Sequence, residues 1–351
     1  MRRNILSLLC VGIVLFFVGF SSMAWGENIK QTKGDKTVYV FKMATIAPEH
    51  LGWAALIKDI INPGIDEATN GKVYLDWYYG GKMGNDEDIL ARMRNEQLQG
   101  GGFSGHGMVI LCPEMTLFAL PFLFDNYDEV EYVYSIMRPR INEWFEKRGY
   151  HLVVLAEQGF DQIYSAKREI RTVSDIKKSR FQTWYGPMEE KTLKALGASP
   201  IPVRPIDISA AVREGMCDAM ISPAIWVVGT QLYNVMHYLN PLPIRYSPAG
   251  GVVSLKAWNK LPKEDQISID NYLKSIEKEF RQKIRAINEK AIAAMYQHGM
   301  KEVKMTPDEI NVLRTRVLAV WDEFAEKGYY SRADLYYIKN LLEEFRSKKV
   351  K

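Results

Sequence analysis

The feature that most constrains the fold is an alternation of strand-like and helix-like segments along most of the chain. The run "TVYVFKMATI" at residues 37–46 is typical of a strand, and "KVYLDWYYGG" at residues 72–81 is typical of a second one. We expect the helical pattern between them to be interrupted at Pro63, because proline cannot donate a backbone hydrogen bond inside a helix. Such alternation predicts an α/β fold with mainly parallel strands.

The alternation begins again after Gly159, and this repetition predicts two lobes rather than one sheet. "YHLVVLAE" before that glycine and "QIYSAK" after it are interpreted as two separate strands. The helical segments that follow end at Gly197 and Gly215, and glycine is a typical residue at the C-terminal end of a helix.

The C-terminal third of the chain is predicted to be helical. One pattern runs from Pro262 to His298, with apolar residues every three or four positions. A helix of that length would extend for about 55 Å and could brace both lobes. Thr306 is expected to cap the next helix in a capping box, with Glu309 reaching back to the cap. A last helix completes the chain.

The N-terminus has the three-part pattern of a secretory signal. "MRRN" supplies two positive charges, residues 5–20 form an apolar run, and small residues follow up to Gly26. We expect cleavage after Gly26. A retained membrane anchor is the alternative, but 16 apolar residues are short for a span of ~20. The mature protein, residues 27–351, is therefore expected in the periplasm.

Charge and cysteine content bound the classes of function. The chain has 46 Lys and Arg against 42 Asp and Glu, a balance too even to indicate a nucleic-acid partner. Outside the signal, two cysteines remain, Cys112 and Cys217. A disulfide is permitted in an exported protein, but two buried free thiols are the favoured interpretation.

The glycine-rich stretch "GGGFSGHG" at residues 100–107 raises two enzymatic interpretations, and both fail. A nucleophile elbow requires G-x-S-x-G, and the second glycine of that motif is absent after Ser104. A phosphate loop requires a lysine and a following helix, and "MVILCPEM" does not begin as a clear helix. We expect a tight turn at the end of a strand, with Phe103, Ser104 and His106 as candidate residues of a ligand cleft.

Metal and cofactor chemistry find no support in the sequence. The five histidines form no H-x-x-x-H pair, and neither remaining cysteine belongs to a C-x-x-C motif. No Ser, His and Asp set stands out. We therefore expect no catalytic residue, no metal and no cofactor, and the protein is not expected to be an enzyme.

Aromatic side chains cluster at the ends of predicted strands. Trp184 and Tyr185 end the strand "SRFQTW", Trp226 follows "CDAMIS", and Phe160 follows "HLVVLAEQ". Because ligands bind at the carboxyl ends of strands in open α/β sheets, these rings are expected to share one ligand surface. Phe181 alternates to the opposite face of its strand and is expected in the core.

The chain resembles the extracytoplasmic solute-binding proteins of tripartite ATP-independent periplasmic (TRAP) transporters, of the dicarboxylate-binding DctP type. The residues that carry the resemblance are, in order, "MATIAPEHLGW", "YYGGKMG", "LQGGGFSGHGM", "CPEMTLFALPFLFDNYDEV", "DIKKSRFQ" and "AVREGMCDAMI". Their order and spacing match over nearly the whole mature chain. The segment that begins at Pro262 is similar to the long helix that bridges the lobes in this family.

The resemblance implies a two-lobe periplasmic-binding-protein-like α/β fold with a hinge, a long lobe-bridging helix and C-terminal helices. It also implies that the closed, ligand-bound form docks on the small and large TRAP membrane subunits. A monomer is expected, with dimerisation left open. The expected division is lobe I at residues 27–157 plus about 247–285, and lobe II at residues 158–246 plus about 286–351.

Three positions depart from the family pattern. Carboxylate-binding members usually carry an arginine where "DIKKSRFQ" has Gln182, a second arginine where "GFDQIY" has Asp161, and an asparagine where "GMCDAMIS" has Ser222. A guanidinium is the natural bidentate partner of a carboxylate. Among nearby arginines, Arg180 lies on the same strand face as Gln182 and is the expected substitute in a rebuilt site.

These departures predict an apolar or amphipathic ligand for the interlobe cleft. A cation held by Asp161 in a cage with Trp184, Tyr185 and Trp226 is one alternative, and a carboxylate in a rebuilt site is another. A periplasmic lipid carrier without a transporter and, less favoured, an exported hydrolase are the alternatives outside this class.

Overall fold

Two long strands run through the centre of the molecule and connect its two halves. The computed structural model describes residues 29–33 and 36–349, so the predicted signal peptide lies outside the described residues. The strands of the described residues are β1 Lys30–Lys33, β2 Lys36–Thr45, β3 Val73–Tyr78, β4 Gly100–Phe103, β5 Tyr150–Ser165, β6 Arg180–Thr183, β7 Ser199–Pro202, β8 Ala219–Pro223, β9 Tyr238–Ser254 and β10 Lys301–Glu302.

Helices cover both faces of these strands. They are α1 Gly52–Leu56, α2 Asn62–Ala68, α3 Asp86–Arg94, α4 Gly105–Leu111, α5 Tyr127–Glu146, α6 Val173–Lys177, α7 Pro187–Ala195, α8 Ile208–Arg213, α9 Ala224–Gly229, α10 Leu255–Trp258, α11 Lys263–Gln297, α12 Pro307–Glu326 and α13 Arg332–Lys349. The α/β class expected from the sequence is confirmed.

The strands form one mixed sheet with the order β1-β2-β4-β9-β5-β8-β6-β7, in which β3 also pairs with β2 and β10 with β9. The outer pairs β2–β3, β2–β4, β6–β8 and β6–β7 are parallel, as the alternation predicts. The centre is not, because β4–β9, β9–β5 and β5–β8 are antiparallel. The carboxyl ends of β2 and β4 in one half therefore face those of β6 and β8 in the other.

The central strands β5 and β9 differ from what the sequence predicts. Two strands were expected on either side of Gly159, but β5 is continuous, and its register with β9 shifts beside that glycine. Gly159 has a φ of 97°, a conformation that glycine adopts readily, so it marks an irregularity within the strand. β9 has no clear strand signal because Pro241, Pro243 and Pro248 interrupt its pattern.

Two local expectations differ from what the structure shows. The segment after Ser104 is a helix, α4, whose first turn Ser104 caps by accepting the Gly107 N–H at 3.3 Å. Its glycines weaken the helical signal. A Cβ on Gly105 would lie 1.6 Å from the Tyr185 hydroxyl oxygen, so the close approach requires glycine there. The interruption expected at Pro63 lies just before it instead, because a π-helical turn at Ile57–Ile61 separates α1 from α2 and Pro63 falls in the first turn of α2.

Helix α11 confirms the long helix predicted from Pro262 to His298, within one residue at each end. It buries Ile269, Leu273 and Phe280 in an apolar core shared with β2, β3, α1 and α2. Further along, the Asn288 side chain accepts the Ile225 N–H of α9 at 2.8 Å. The helix thus contacts elements on both sides of the cleft. The division into lobes at the expected residues stays a prediction.

Buried and partly buried ion pairs connect α5 with α11, and α11 with β5. Guanidinium nitrogens lie 2.7 Å from carboxylate oxygens in the pairs Arg138–Glu277, Arg281–Glu131 and Arg285–Glu157. We name the α11 cluster the six residues Arg138, Arg281, Arg285, Glu131, Glu157 and Glu277.

Other sequence expectations have simple outcomes. Phe181 is buried in a core with α7 and α12, as its strand face predicts. Thr306 caps α12, but the Glu309 carboxylate accepts the Val173 N–H instead of reaching back to the cap. Cys112 and Cys217 are buried and unbridged. None of the helices in the described part of the chain is long and apolar enough to cross a membrane.

Candidate functional site

The candidate site is the cleft where the ends of β2 and β4 meet the ends of β6 and β8. The indole rings of Trp184 and Trp226 stack at 6.2 Å, and His106 lies edge-on to Trp184 at 6.3 Å. Tyr185 reaches across the cleft to Gly105. The structure therefore brings together four of the aromatic and polar residues that the sequence places at strand ends.

One part of the cleft is an apolar cavity of about 50 Å³. Its polar lining comes from Thr45, Ser104 and Gln158. The apolar lining includes Ile46, Pro48, Leu51, Trp53, Phe103, Ile225, Trp226 and Ala249. Trp53 is held in place by its indole N–H, which donates to the Glu157 carbonyl at 2.9 Å. None of the described residues that line this cavity is basic.

A second cavity of about 220 Å³, which we name the polar cavity for its charged residues, has Trp184 in its wall and shares Ile46 with the first. Its charged lining residues are Asp86, Glu87, His106 and Arg204. Each basic group there already has an acidic partner. The Arg204 Nε donates to Asp207 at 2.7 Å, and His106 Nε2 lies 2.6 Å from Glu87.

Ser104 and His106 serve different contacts. The Ser104 hydroxyl donates to Asp86, whose pKa is raised by burial. Burial is the largest single influence and lowers the pKa of His106, but the hydrogen bond and charge of Glu87 together with the charge of Asp86 raise the pKa overall. His106 Nδ1 is buried and has no hydrogen-bond partner among the described residues. Ser104 bonds to Asp86 and His106 bonds to Glu87, so the two do not form the hydrogen-bonded Ser–His pair of a hydrolase.

A buried arginine that sequence reasoning missed lies behind Tyr185. Arg245 of β9 pairs in register with Asp161 of β5. Its Nε donates to Asp161 Oδ2 at 2.7 Å, its Nη1 donates to Glu189 Oε1 at 3.0 Å, and its guanidinium carbon lies 3.8 Å from the Tyr185 ring centroid. Arg245, Asp161 and Glu189 are at most 4% exposed, and we name them the cleft cluster.

The electrostatics of the cleft cluster are unbalanced, since two carboxylates share one guanidinium. Burial raises the pKa of Asp161 to about 6, even though Arg245 acts to lower it. For Arg245, burial favours the neutral form, but Asp161 and Glu189 outweigh burial and raise the pKa above its usual value. The second oxygen of Glu189 accepts the N–H groups of Trp184 and Tyr185 at 3.0 and 3.1 Å.

Arg180 does not take part in this cluster. It lies at the first residue of β6, at the opposite end of that strand from Trp184, and its side chain is 45% exposed. Its Nε is 3.8 Å from Asp218. The cation beside Asp161 is Arg245 and not Arg180, because the antiparallel pairing of β5 with β9 brings a distant segment alongside.

Gln182 and Ser222 lie within the sheet and line neither cavity. The Gln182 amide donates to the Val203 carbonyl at 2.9 Å, while its oxygen and the Ser222 hydroxyl have no partner among the described residues. Phe160 is likewise packed inside, with its ring 4.8 Å from Tyr127 and 5.7 Å from Tyr246. Phe103 lines the apolar cavity.

Among the residues the structure describes, no group of three or more His, Cys, Asp or Glu side chains is arranged to hold a metal ion. The residues near the cleft that sequence reasoning missed include Arg245, Glu189, Asp86, Glu87, Arg204, Trp53, Gln158 and Ile225. Trp53 ends the quoted stretch "MATIAPEHLGW" and was a visible signal, whereas Arg245 stands in a proline-rich segment with none.

Comparison with known proteins identifies the class. The profile of the family described as bacterial extracellular solute-binding protein, family 7 (DctP), matches residues 58–327. The ectoine-binding periplasmic protein TeaA of Halomonas elongata is 22% identical over 245 residues, covering 68% of each chain.

Two solved structures show the same fold. The sugar acid binding protein DctPAm of Advenella mimigardefordensis, in complex with galactonate, superimposes with a TM-score of 0.81 at 18% identity, covering 88% of this chain and 98% of that one. A TRAP periplasmic solute-binding protein of Haemophilus influenzae with bound L-gulonate has a TM-score of 0.80 at 21% identity, covering 86% and 99%.

Proposed function

We propose, from the premise that this chain belongs to the bacterial extracellular solute-binding proteins of family 7, that it captures an apolar or amphipathic small molecule between its lobes. Proteins of this family are periplasmic solute-binding components of TRAP transporters rather than enzymes. They deliver a small molecule to membrane subunits, which are the partners that we expect here.

The observation that carries the ligand class is the state of the basic groups at the cleft. Arg245 is engaged by Asp161 and Glu189, and the two basic residues that line the polar cavity, His106 and Arg204, each have an acidic partner. A carboxylate ligand needs a guanidinium fork that is free to accept it. Each of these three groups already has an acidic partner: Arg245 is buried behind the cavities, and Arg204 forms an exposed pair with Asp207.

The walls of the apolar cavity support the same class of ligand. Trp53, Trp226 and Phe103 present aromatic surface, and among the described lining residues the polar side chains are those of Ser104, Thr45 and Gln158. An apolar lining with few polar groups is typical of a pocket that selects by shape and desolvation. An amphipathic ligand would place its apolar part here and a neutral polar part beyond Trp184.

The cationic alternative is less favoured by the geometry. A ligand cation would bind to the Tyr185 ring and the Asp161 carboxylate. The guanidinium of Arg245 already lies 3.8 Å from that ring centroid and donates a hydrogen bond to that carboxylate. The cage predicted from the sequence therefore contains a cation that belongs to the protein.

Ligand capture is expected to act through lobe closure. A ligand that touches both sides of the cleft stabilises the closed state relative to the open one, and only that difference in affinity can shift the population. Tyr185 against Gly105 and Ile225 against Gly52 are contacts across the cleft that closure would form.

Identification of the natural ligand tests the proposal. We expect mass spectrometry of small molecules released from protein purified from its native host to show an apolar or amphipathic compound. Recovery of only sugar acids or short dicarboxylates would contradict the ligand class while leaving family membership intact. N-terminal sequencing of the same exported sample is expected to begin at Glu27.

A panel of ring-matched ligands provides an independent test. We expect cyclohexylmethanol or benzyl alcohol to raise the melting temperature more than cyclohexanecarboxylate or benzoate at equal concentration. A ligand that binds only the folded state stabilises it by mass action. Stabilisation by the carboxylates alone would argue for a rebuilt carboxylate site.

A further inference from the structure

We propose that the Asp161 side chain binds the Arg245 guanidinium in the place of a ligand carboxylate. Asp161 thereby excludes carboxylate ligands from Arg245. Asp161 is then a specificity-determining residue. This inference deepens the proposed function and rests on it, because it names the residue that makes the cleft unreceptive to acids.

The geometry of the pair shows an arginine fork that is occupied but incompletely matched. Both Nε and Nη2 of Arg245 approach the same oxygen, Asp161 Oδ2, at 2.7 and 2.6 Å. The Nη2 contact lacks the alignment of a hydrogen bond, and Asp161 Oδ1 has no partner among the described residues. A free carboxylate can instead offer one oxygen to each nitrogen, which is the stronger arrangement. The fork would therefore accept an external carboxylate if Asp161 were absent.

Glu189 cannot perform the role of Asp161. One of its oxygens is held by the N–H groups of Trp184 and Tyr185, and the other takes only Nη1 of Arg245 at 3.0 Å. Removal of Asp161 would leave Nε and Nη2 without an acceptor inside a site that is at most 4% exposed. Buried N–H donors without an acceptor are costly even while Nη1 stays paired with Glu189, so the vacancy should attract an anion of matching shape.

The cluster lies one residue layer behind the cleft. The Tyr185 ring covers the face of the guanidinium, and the Tyr185 hydroxyl accepts a hydrogen bond from the Ser247 hydroxyl at 3.2 Å. The same hydroxyl packs against Gly105 on the opposite side of the cleft. Asp161 is also paired in register with Pro223, which immediately precedes the helix that carries Trp226. Access of a small anion to the fork therefore requires the Tyr185 ring to move, and separation of the lobes would remove its contact with Gly105.

Formate rescue of Asp161→Ala tests the inference. This substitution deletes a carboxylate group, and formate is that group as a free ion. We expect 100 mM sodium formate to raise the melting temperature of the variant by about 2 °C over 100 mM sodium chloride, through mass action at a millimolar site. Neutral formamide, of the same shape, should have no such effect.

Three matched proteins make the result specific. The wild type should not respond, because Asp161 fills the fork. Asp161→Asn should not respond, because its amide fills the same space. Asp161→Ala combined with Arg245→Met should not respond, because the guanidinium is gone. An equal response to formate in Asp161→Ala and in this double variant would overturn the inference, as would no formate-specific response in Asp161→Ala.

Folding failure of the variant would not leave the question open. If Asp161→Ala does not fold in chloride, we expect refolding in formate to restore soluble protein with native far-ultraviolet circular dichroism, and Asp161→Ser is a second variant for the same comparison. Failure of both to respond to formate would overturn the inference. The proposed function is tested separately by the ligand of the wild type, so an apolar natural ligand without formate rescue contradicts only the role of Asp161.

Discussion

The cleft cluster and the α11 cluster both pair arginines with acids beside β5, but they differ in stoichiometry and in burial. The α11 cluster has three arginines and three glutamates in the pairs Arg138–Glu277, Arg281–Glu131 and Arg285–Glu157. The cleft cluster has one arginine and two acids, Arg245 with Asp161 and Glu189. One cluster is electrically neutral, and the other carries one excess negative charge when its acids are ionised.

This difference indicates what each cluster does. Balanced pairs that connect α5 with α11, and α11 with β5, hold elements in position, and each charge has a partner. An unbalanced cluster whose residues are at most 4% exposed costs folding free energy, since burying charge is costly unless it is paired. Strain of this kind is typically concentrated at functional sites. The cleft cluster is thus interpreted as functional and the α11 cluster as structural.

The largest expected effect is that of Arg245→Met. It leaves the carboxylates of Asp161 and Glu189 buried beside each other, so we expect the free energy of unfolding to fall by about 3–5 kcal/mol. Urea titration at pH 7 measures this loss. Arg180→Met is the control, because that exposed arginine should change stability by less than about 0.5 kcal/mol. Equal losses in the two variants would break the comparison.

Arg285→Met is expected to lower the free energy of unfolding by about 2–3 kcal/mol, which is less than the loss expected for Arg245→Met. The reason is that each acid left behind in the α11 cluster keeps another partner. Glu157 keeps its hydrogen bond from the Tyr246 hydroxyl at 2.9 Å, and Glu131 keeps Arg281. The same urea titration checks it, with Arg245→Met as the reference. A loss larger than that of Arg245→Met would show that the α11 cluster is the more constrained of the two.

The next largest expected effect is the contribution of Asp161 to the pH dependence of the unfolding free energy, which should amount to roughly 1–3 kcal/mol. Its pKa is raised from 3.8 to about 6 in the folded protein. Between about pH 4 and pH 6 the unfolded chain therefore binds fewer protons at this residue, and the stability that Asp161 contributes falls as pH rises and then levels off above about pH 6.

The difference in unfolding free energy between wild type and Asp161→Asn, measured from pH 4 to pH 7.5, isolates this contribution from those of other acids. A difference that stays flat or rises with pH would contradict the raised pKa. The same pH series on Glu157→Gln allows the contribution of Glu157 in the α11 cluster to be compared with that of Asp161, because burial raises the pKa of Glu157 as well.

Gly105→Ala is expected to have the smallest effect on stability, about 1 kcal/mol, because the lobes can separate to relieve the contact. A Cβ there would lie 1.6 Å from the Tyr185 hydroxyl oxygen. We expect small-angle X-ray scattering to show a larger radius of gyration than for Gly229→Ala, whose Cβ would meet Pro48 at 3.4 Å. An unchanged radius would mean that Tyr185 repacks within its own lobe.

Much of the fold was open to prediction because its signals are local. The apolar spacing of α11 and the face alternation that buries Phe181 depend only on neighbouring residues, and both predictions are confirmed. The resemblance to TRAP solute-binding proteins is also confirmed, because it rests on motifs in order along the chain. The ligand-binding roles of Trp184, Tyr185 and Trp226 stay predictions.

The sequence by itself determined the α/β class, the long helix and the family. Only the tertiary structure decided which cation faces Asp161. Arg245 lies 84 residues away along the chain, in a segment whose prolines conceal a strand, and it reaches Asp161 through the antiparallel register of β9 with β5. Strand register is set by long-range pairing and core packing, so no local pattern could reveal that the guanidinium was present and already occupied.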